Sequence, residues 1–262
     1  MRGFACFLAA SLGLAAPLEA ALPRAASLNL CTDELLLLIG QPSQIVSVTH
    51  LAQDAGESPV WQAARRYPRN DGSLLSVARW RPQIVFNMGG GPRDRAGIAS
   101  RLGMRTIDLP YPASLADVRE NVRRVAAALG QAARGAALIR RIEALERTRP
   151  QGTKDTIWLS AGGRSVSPNG LEAQWLRLAG LRQRALSGDA ATLETLAAAP
   201  PQVLIRSNYR ARQFSRSQGW LRHPLAARVR AGRSLTADGR RWTCMGPLLI
   251  PEIVRLRREL GK

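Results

Sequence analysis

Short apolar runs of strand length alternate along this chain with longer stretches of helical spacing. Ala25-Ala26-Ser27-Leu28-Asn29-Leu30 is the first such run and Ile45 to Val48 the second. Pro82-Gln83-Ile84-Val85-Phe86 and Met104 to Leu109 follow. Between the first two, Cys31-Thr32-Asp33-Glu34 leads into Leu35 to Ile39. Thr32 or Asp33 suits a helix N-cap, acidic residues favour a helix N-terminus electrostatically, and Gly40 stops the helix. Asp94 to Leu102 reads as a further helix. Strand, helix, strand at this spacing predicts an α/β fold with a largely parallel sheet.

The pattern changes from Ser114 to Arg149. Ser114, Asp117 and Glu120 form a capped, acidic start. Leu115, Val118, Val122, Val125 and Leu129 keep helical spacing until Gly130 interrupts. A second helix follows over residues 131–149, with Ala137, Leu138, Ile142 and Leu145 on one side. Arg134, Arg140, Arg141, Glu143, Glu146 and Arg147 occupy the rest. It is amphipathic and heavily charged, as a connector outside two cores would be. Pro150-Gln151-Gly152 ends it. A new α/β unit then opens with the strand Thr156 to Ser160, the turn Ser167-Pro168-Asn169-Gly170, a helix from Leu171 to Ala179 stopped by Gly180, and the strand Gln202 to Ile205.

An internal repeat ties the two halves together. Ser73 to Phe86 (SLLSVARWRPQIVF) resembles Thr192 to Ile205 (TLETLAAAPPQVLI). Each is a short helix, a proline-started strand and then a polar loop. Two such units joined by a charged helix imply two related lobes. In open α/β sheets ligands sit beyond the carboxyl ends of the strands. Facing lobes would therefore make a cleft lined by those loops.

The N-terminus has the form of an export leader. Arg2 supplies a positive charge, Phe4 to Ala16 an apolar stretch too short to span a bilayer, and Pro17-Leu18-Glu19-Ala20-Ala21 a small-residue cleavage site. Cleavage after Ala20 or Ala21 would release an exported, periplasmic chain. Cys6 lies ahead of any lipobox position, so a lipid anchor is not expected. The net charge of +19 invites a nucleic-acid reading. However, 36 of the 38 basic residues are arginine and they are spread along the chain, which points to a chain-wide coding bias. No nucleic-acid partner is expected. An anionic ligand fits the same excess.

Three segments resemble the cobalamin and iron–siderophore binding proteins, the class III periplasmic substrate-binding proteins of ABC importers. Ser27-Leu28-Asn29-Leu30-Cys31-Thr32-Asp33-Glu34-Leu35-Leu36-Leu37 is similar to their opening strand, polar turn and T-[DE]-x-[LI] helix start. The paired repeats resemble their L-E-x-[LIV]-x-x-x-x-P-[DQ]-[LIV]-[LIV] unit. Trp242-Thr243-Cys244-Met245-Gly246-Pro247 is similar to the W-T-C-G-G-P ending of one branch, with Met245 in place of a glycine. The resemblance runs from about Arg24 to Leu260.

It implies two Rossmann-like lobes, residues 22–130 and 150–262, each on a mostly parallel sheet and joined by one long linker helix, residues 131–149. It implies a monomer without enzymatic activity or cofactor. The protein would capture a metal chelate such as cobalamin or a ferric siderophore, a small-molecule ligand whose negative charge the arginine excess would suit, and deliver it to an ABC permease. Docking in the family resembles a charge handshake, one glutamate per lobe meeting permease arginines. Glu194 matches the second-lobe position. Leu75 stands where the first-lobe glutamate would be, so docking is asymmetric, or a neighbour such as Glu57 substitutes, or the usual transporter is not the partner.

Candidate ligand contacts are the strand-end residues Asn29, Cys31, Thr32, His50, Leu51, Asn87, Met88 and Tyr111 in the first lobe. The second lobe offers Ser167, Asn169, Asn208, Tyr209, Trp242, Cys244 and Met245. Amides and hydroxyls would orient a ligand, and aromatics would supply flat contact area. Turn formation by the asparagines and core packing by Trp242 are the competing readings. Cys31 and Cys244 leave three readings open. They are buried small hydrophobes, the default for free cysteine. Or they bind ligand or a soft metal with His50, Met88 or Met245. Or they form a disulfide, which would oppose hinge motion. An alternative function is a secreted thiol protein or enzyme using Cys31, with His50 as its base. With only His50 and His223 in the chain, a three-histidine zinc site is impossible. Gly89-Gly90-Gly91 lacks the lysine and the spacing of a phosphate loop.

Overall fold

The computed structural model describes residues 21–91, 94–227 and 232–261. The expected leader therefore lies, apart from Ala21, outside the described residues.

Nine strands form two separate sheets among the described residues. β1 (Ala25–Ser27), β2 (Ile45–Thr49), β3 (Arg69–Asn70), β4 (Ile84–Met88) and β5 (Arg105–Leu109) make the first, in the order β3-β2-β1-β4-β5. β6 (Lys154–Leu159), β7 (Leu181–Gln183), β8 (Val203–Ser207) and β9 (Arg233–Ala237) make the second, in the order β7-β6-β8-β9. Every pairing is parallel. The order β2-β1-β4-β5 corresponds strand for strand to β7-β6-β8-β9, so the sequence repeat is a repeat of whole lobes.

Helices cover both faces of each sheet, as parallel sheets require. The first lobe carries α1 (Leu30–Ile39), α2 (Trp61–Ala64), α3 (Leu74–Ala78) and α4 (Arg95–Arg101). α5 (Leu115–Ala128) and α6 (Ala132–Arg147) lead to the second lobe. That lobe has α7 (Leu171–Leu178), α8 (Leu193–Ala198), α9 (Arg216–Trp220), α10 (Pro224–Ala227) and α11 (Leu249–Leu260). Alternation along a strand divides the core. In β4, Ile84, Phe86 and Met88 join α1 and α5, whereas Val85 faces α3 and α4. In β8, Val203 and Ile205 meet α7 and α11, whereas Leu204 faces α8.

The two halves of the repeat begin alike. Ser73 caps α3 by accepting the Ser76 N–H, and Thr192 caps α8 by accepting the Thr195 N–H. Leu75 and Glu194 then occupy the same helical position.

α1 starts earlier than the sequence pattern implies. Its N-cap is Asn29, whose Oδ1 accepts the Thr32 N–H at 3.0 Å, rather than Thr32 or Asp33. Thr32, Asp33 and Glu34 are consequently carried into the buried face of the helix.

α6 covers the expected linker, but it does not lie outside the cores. Leu138 belongs to the first core, and Ile142 and Leu145 to the second. α5 runs beside it and also bridges, with Leu115 and Val118 in the second core and Val122 and Val125 in the first. Gly135 lets these two helices close up. A Cβ there would stand 2.4 Å from that of Ala126.

Candidate functional site

The loops after the strands of one lobe meet those of the other, and the contacts fall into two groups. The first is covalent. Cys31, in the first turn of α1, forms a disulfide with Cys244, just before α11, with the Cα atoms 5.2 Å apart. Met245 follows at φ +49°, and its carbonyl accepts the indole N–H of the buried Trp175 at 3.0 Å. This bond is the third of the readings open for Cys31 and Cys244, and a disulfide sulfur offers no thiolate to a soft metal. In this bonded form Cys31 has no thiolate to act as a nucleophile with His50.

The second contact is polar. Glu57, in the loop after β2, reaches the loop after β8. The Tyr209 hydroxyl donates to Glu57 Oε2 at 2.6 Å. Arg210 Nε and Nη2 donate to Glu57 Oε1 at 2.9 and 2.6 Å. Arg240, after β9, donates through Nη1 to the carbonyls of Ala55 at 2.7 Å and Ser58 at 3.4 Å. Its other nitrogens hold both oxygens of Asp238 at 2.8 and 2.9 Å. Burial and the adjoining Glu57 carboxylate both raise the Tyr209 phenol above its ordinary value, so it remains a proton donor at neutral pH.

Two cavities open beside this contact. One, of about 520 Å³, is lined by Ala55 and Gly56 from the first lobe and by Asn208, Arg210, Arg212, Gln213 and Arg240 from the second. The other, of about 510 Å³, lies against the second lobe and includes Arg164, Tyr209, Arg210, Gln213 and Trp242. Phe214 sits between residues that line them and is 98% exposed. Each cavity is large enough for a small ligand.

The anticipated site residues divide accordingly. Asn208, Tyr209 and Trp242 line these cavities. Trp242 is also core, its ring 4.5 Å from that of Trp158. Asn29, Thr32 and Asn87 instead bond to one another and to backbone. Asn29 Nδ2 donates to Asn87 Oδ1 at 3.2 Å and to the Met88 carbonyl at 2.9 Å, tying the end of β1 to that of β4. Met88 is packed in the first core and Met245 against the second. Tyr111 is exposed and lies over Gly89, where a Cβ would come within 2.1 Å of the ring. His50 lines a separate open hollow with Arg69, Leu75 and Arg79. Ser167 and Asn169 form the turn before α7, and Leu51 packs against the first core. Glu194 is exposed, and hydrogen bonds from its own backbone N–H and from the Thr192 hydroxyl hold its carboxyl below the ordinary value. Glu57 is committed to the second lobe.

Nothing in their residue type sets Arg164, Arg210, Arg212 and Arg240 apart from the other arginines of the sequence. A chain-wide arginine excess hid them. The clue was position, since Arg210 and Arg212 follow directly on a strand end.

Two consecutive buried acids follow Cys31 in α1, Asp33 against the end of β2 and Glu34 beside the disulfide. Asp33 accepts the Thr49 N–H at 2.9 Å and the Thr49 hydroxyl at 2.5 Å. Burial nevertheless pushes its carboxyl up to about 6. Glu34 is buried with neither oxygen hydrogen-bonded, and burial, reinforced by Asp33, holds its carboxyl well above the ordinary value. Glu34 lines a small void with Cys31, Cys244 and Asn121, whose Oδ1 is also unpartnered.

The periplasmic binding protein family profile matches residues 26–235 of the chain. The chain belongs to that family. The fold agrees with solved structures of such proteins. The periplasmic heme-binding protein HutB of Vibrio cholerae is 17% identical over 92% of this chain and 99% of its own, with a TM-score of 0.72. A periplasmic heme-binding protein from Pseudomonas aeruginosa is 22% identical over 91% of this chain and 92% of its own, TM-score 0.64. The vitamin B12-binding protein BtuF of Vibrio cholerae is 13% identical over 92% and 97%, TM-score 0.64. No curated protein sequence matches the chain. At these identities the likeness establishes the two-lobed α/β fold. Family membership establishes a substrate-binding protein of the ABC-import type.

Proposed function

We propose that this periplasmic binding protein captures an anionic metal chelate, a carboxylate-bearing tetrapyrrole such as heme, in the cleft between its lobes. It then hands the ligand to an ABC permease. The observation that carries this reading is the cationic lining of the two cleft cavities by Arg164, Arg210, Arg212 and Arg240. Guanidinium groups pair with carboxylates with a directionality that lysine lacks. Tyr209, Trp242 and the exposed Phe214 add flat surface beside them. Structural relatives named for heme and for vitamin B12 support the ligand class.

On this reading the lobes are residues 22–130 and 150–262, with 131–149 between them. The leader over residues 1–21 directs the chain to the periplasm, where it works as a monomer. Asn208, Tyr209 and Trp242 contact the ligand, and Tyr111 and Met245 border the cleft. Glu194 contributes to permease docking from the second lobe. In the first lobe Leu75, 77% exposed and beside Arg69 and Arg79, offers an apolar and basic surface instead.

The test is titration of the purified protein with hemin, cyanocobalamin and a panel of ferric siderophores, followed by quenching of tryptophan fluorescence. Saturable binding of hemin, weaker or absent for uncharged corrinoids, is expected. Absence of binding across the whole panel would overturn the reading.

A further inference from the structure

We infer that Glu57 is a built-in stand-in for a ligand carboxylate, held in a carboxylate clamp formed by Tyr209 and Arg210, and that the ligand must displace it. The inference rests on ligand capture in the inter-lobe cleft and names what the ligand must carry there.

The clamp belongs wholly to the second lobe. Tyr209 is fixed from two sides. Its N–H donates to Ser207 Oγ at 3.3 Å, and its carbonyl accepts Gln218 Nε2 at 3.0 Å. Gly239 is required beneath it, because a Cβ there would stand 2.2 Å from Ser207 Oγ and 2.5 Å from Tyr209 Cβ. Arg210 holds a backbone φ of +52°, a left-handed conformation that non-glycine residues seldom adopt. Such outliers persist where the surroundings enforce them, commonly at ligand clamps. The guanidinium carbon lies 5.2 Å from the centroid of the Tyr209 ring, so phenol and guanidinium face one target together.

The tenant comes from the other lobe and has no fixture of its own. Each Glu57 oxygen takes its donors from the second lobe, the phenol at one and the guanidinium at the other. Among the described residues no first-lobe group donates to that carboxylate. Glu57 thus lies across the boundary as a ligand carboxylate would, with its side chain 13% exposed. Nearby, Arg164 and Arg212 line the same cavities and have no acidic partner among the described residues. A ligand with two carboxylates would occupy the clamp with one and meet a free arginine with the other.

A clamp occupied by Glu57 nine-tenths of the time would weaken apparent ligand affinity by about tenfold, because only the vacated fraction is competent. The full-length protein and its Glu57→Gln and Arg210→Gln variants are titrated with hemin, hemin dimethyl ester and dicyanocobinamide, with thermal unfolding confirming that each variant is folded. The expected result is hemin binding about tenfold tighter in Glu57→Gln than in wild type. The ester, which has no carboxylate to compete with, should bind both equally. Arg210→Gln should lose the preference for the acid over the ester. Hemin binding that is unchanged or weaker in Glu57→Gln overturns the inference while leaving capture in the cleft intact. Binding of none of the three probes by any of the proteins overturns both.

Discussion

The two contacts between the lobes differ in kind. The one at Cys31 and Cys244 is covalent, closed over by Leu35, Met88 and Val118, and backed by the buried Glu34. The one at Glu57, Tyr209, Arg210 and Arg240 is ionic, faces the cavities, and is partly exposed. A dry covalent seam fixes the lobes at one point and leaves little to be exchanged there. A wet ionic contact is held by groups that water or a ligand can replace with small loss. The division of labour follows. The seam sets how the lobes are joined, and on the proposed reading the polar contact is where a ligand would enter.

The largest effect should come from the seam. The disulfide closes a loop of 213 residues, and removing such a constraint from the unfolded chain costs roughly 3–5 kcal/mol. Cys31→Ser/Cys244→Ser should show a denaturation midpoint lowered to match. Wild type under reducing conditions should behave likewise. Equal midpoints for oxidised and reduced wild type would erase the distinction between the contacts.

Next comes the pH response of the buried acids of α1, Asp33 and Glu34. The Asp33 carboxyl lies at about 6 in the folded chain, against 3.8 ordinarily. The folded state therefore binds the proton more tightly. Its contribution is complete below the unfolded value and is lost as pH rises through about 6, to the extent of roughly 3 kcal/mol. Glu34 acts in the same direction from its own raised value. Glu34→Gln keeps the shape and removes the charge, so its stability should depend less on pH than that of wild type. The gap should widen toward neutral and alkaline pH. Denaturant midpoints between pH 4 and 8 would show this, and parallel profiles for the two proteins would refute it.

The polar contact should matter less for stability. Arg240→Ala removes two bonds to carbonyls of the opposite lobe, and about 1–2 kcal/mol is expected. Raised salt should weaken the wild-type contact and narrow that difference, because exposed pairs are screened. Glu57→Gln should change the melting temperature least of these and ligand affinity most. The smallest structural effect is expected at the outer surface, where Leu75→Glu should leave unfolding unchanged. On the proposed transport role, lowered or raised uptake by cells expressing that variant together with an ABC permease would then report docking alone.

Much of the fold is legible in the chain because it depends on local pattern. The run from Ile84 to Phe86, the spacing of Val118, Val122 and Val125, and the stops at Gly40 and Gly180 follow from side-chain periodicity and backbone sterics. β3, β7 and β9 leave no such pattern in the chain. The first two have two and three residues, and β9, Arg233–Ala237, carries little apolar character. They are strands because a neighbour offers a ladder. The site was less legible. Asn29 and Asn87 carry the residue types of a binding loop, yet they tie two strands together.

The sequence by itself determined the two-lobed α/β architecture, through a repeat whose two copies must each bury an apolar strand. It also determined that charged helical chain would lie between them. Tertiary structure decided which of three readings of Cys31 and Cys244 holds, since only folding brings residues so far apart in the chain within bonding distance. Among the described residues it also selected the few arginines that line the cavities beside the polar contact. Charge is a property of composition, but its effect on a ligand depends on distance and burial, and those exist only once the strand ends of both lobes have met.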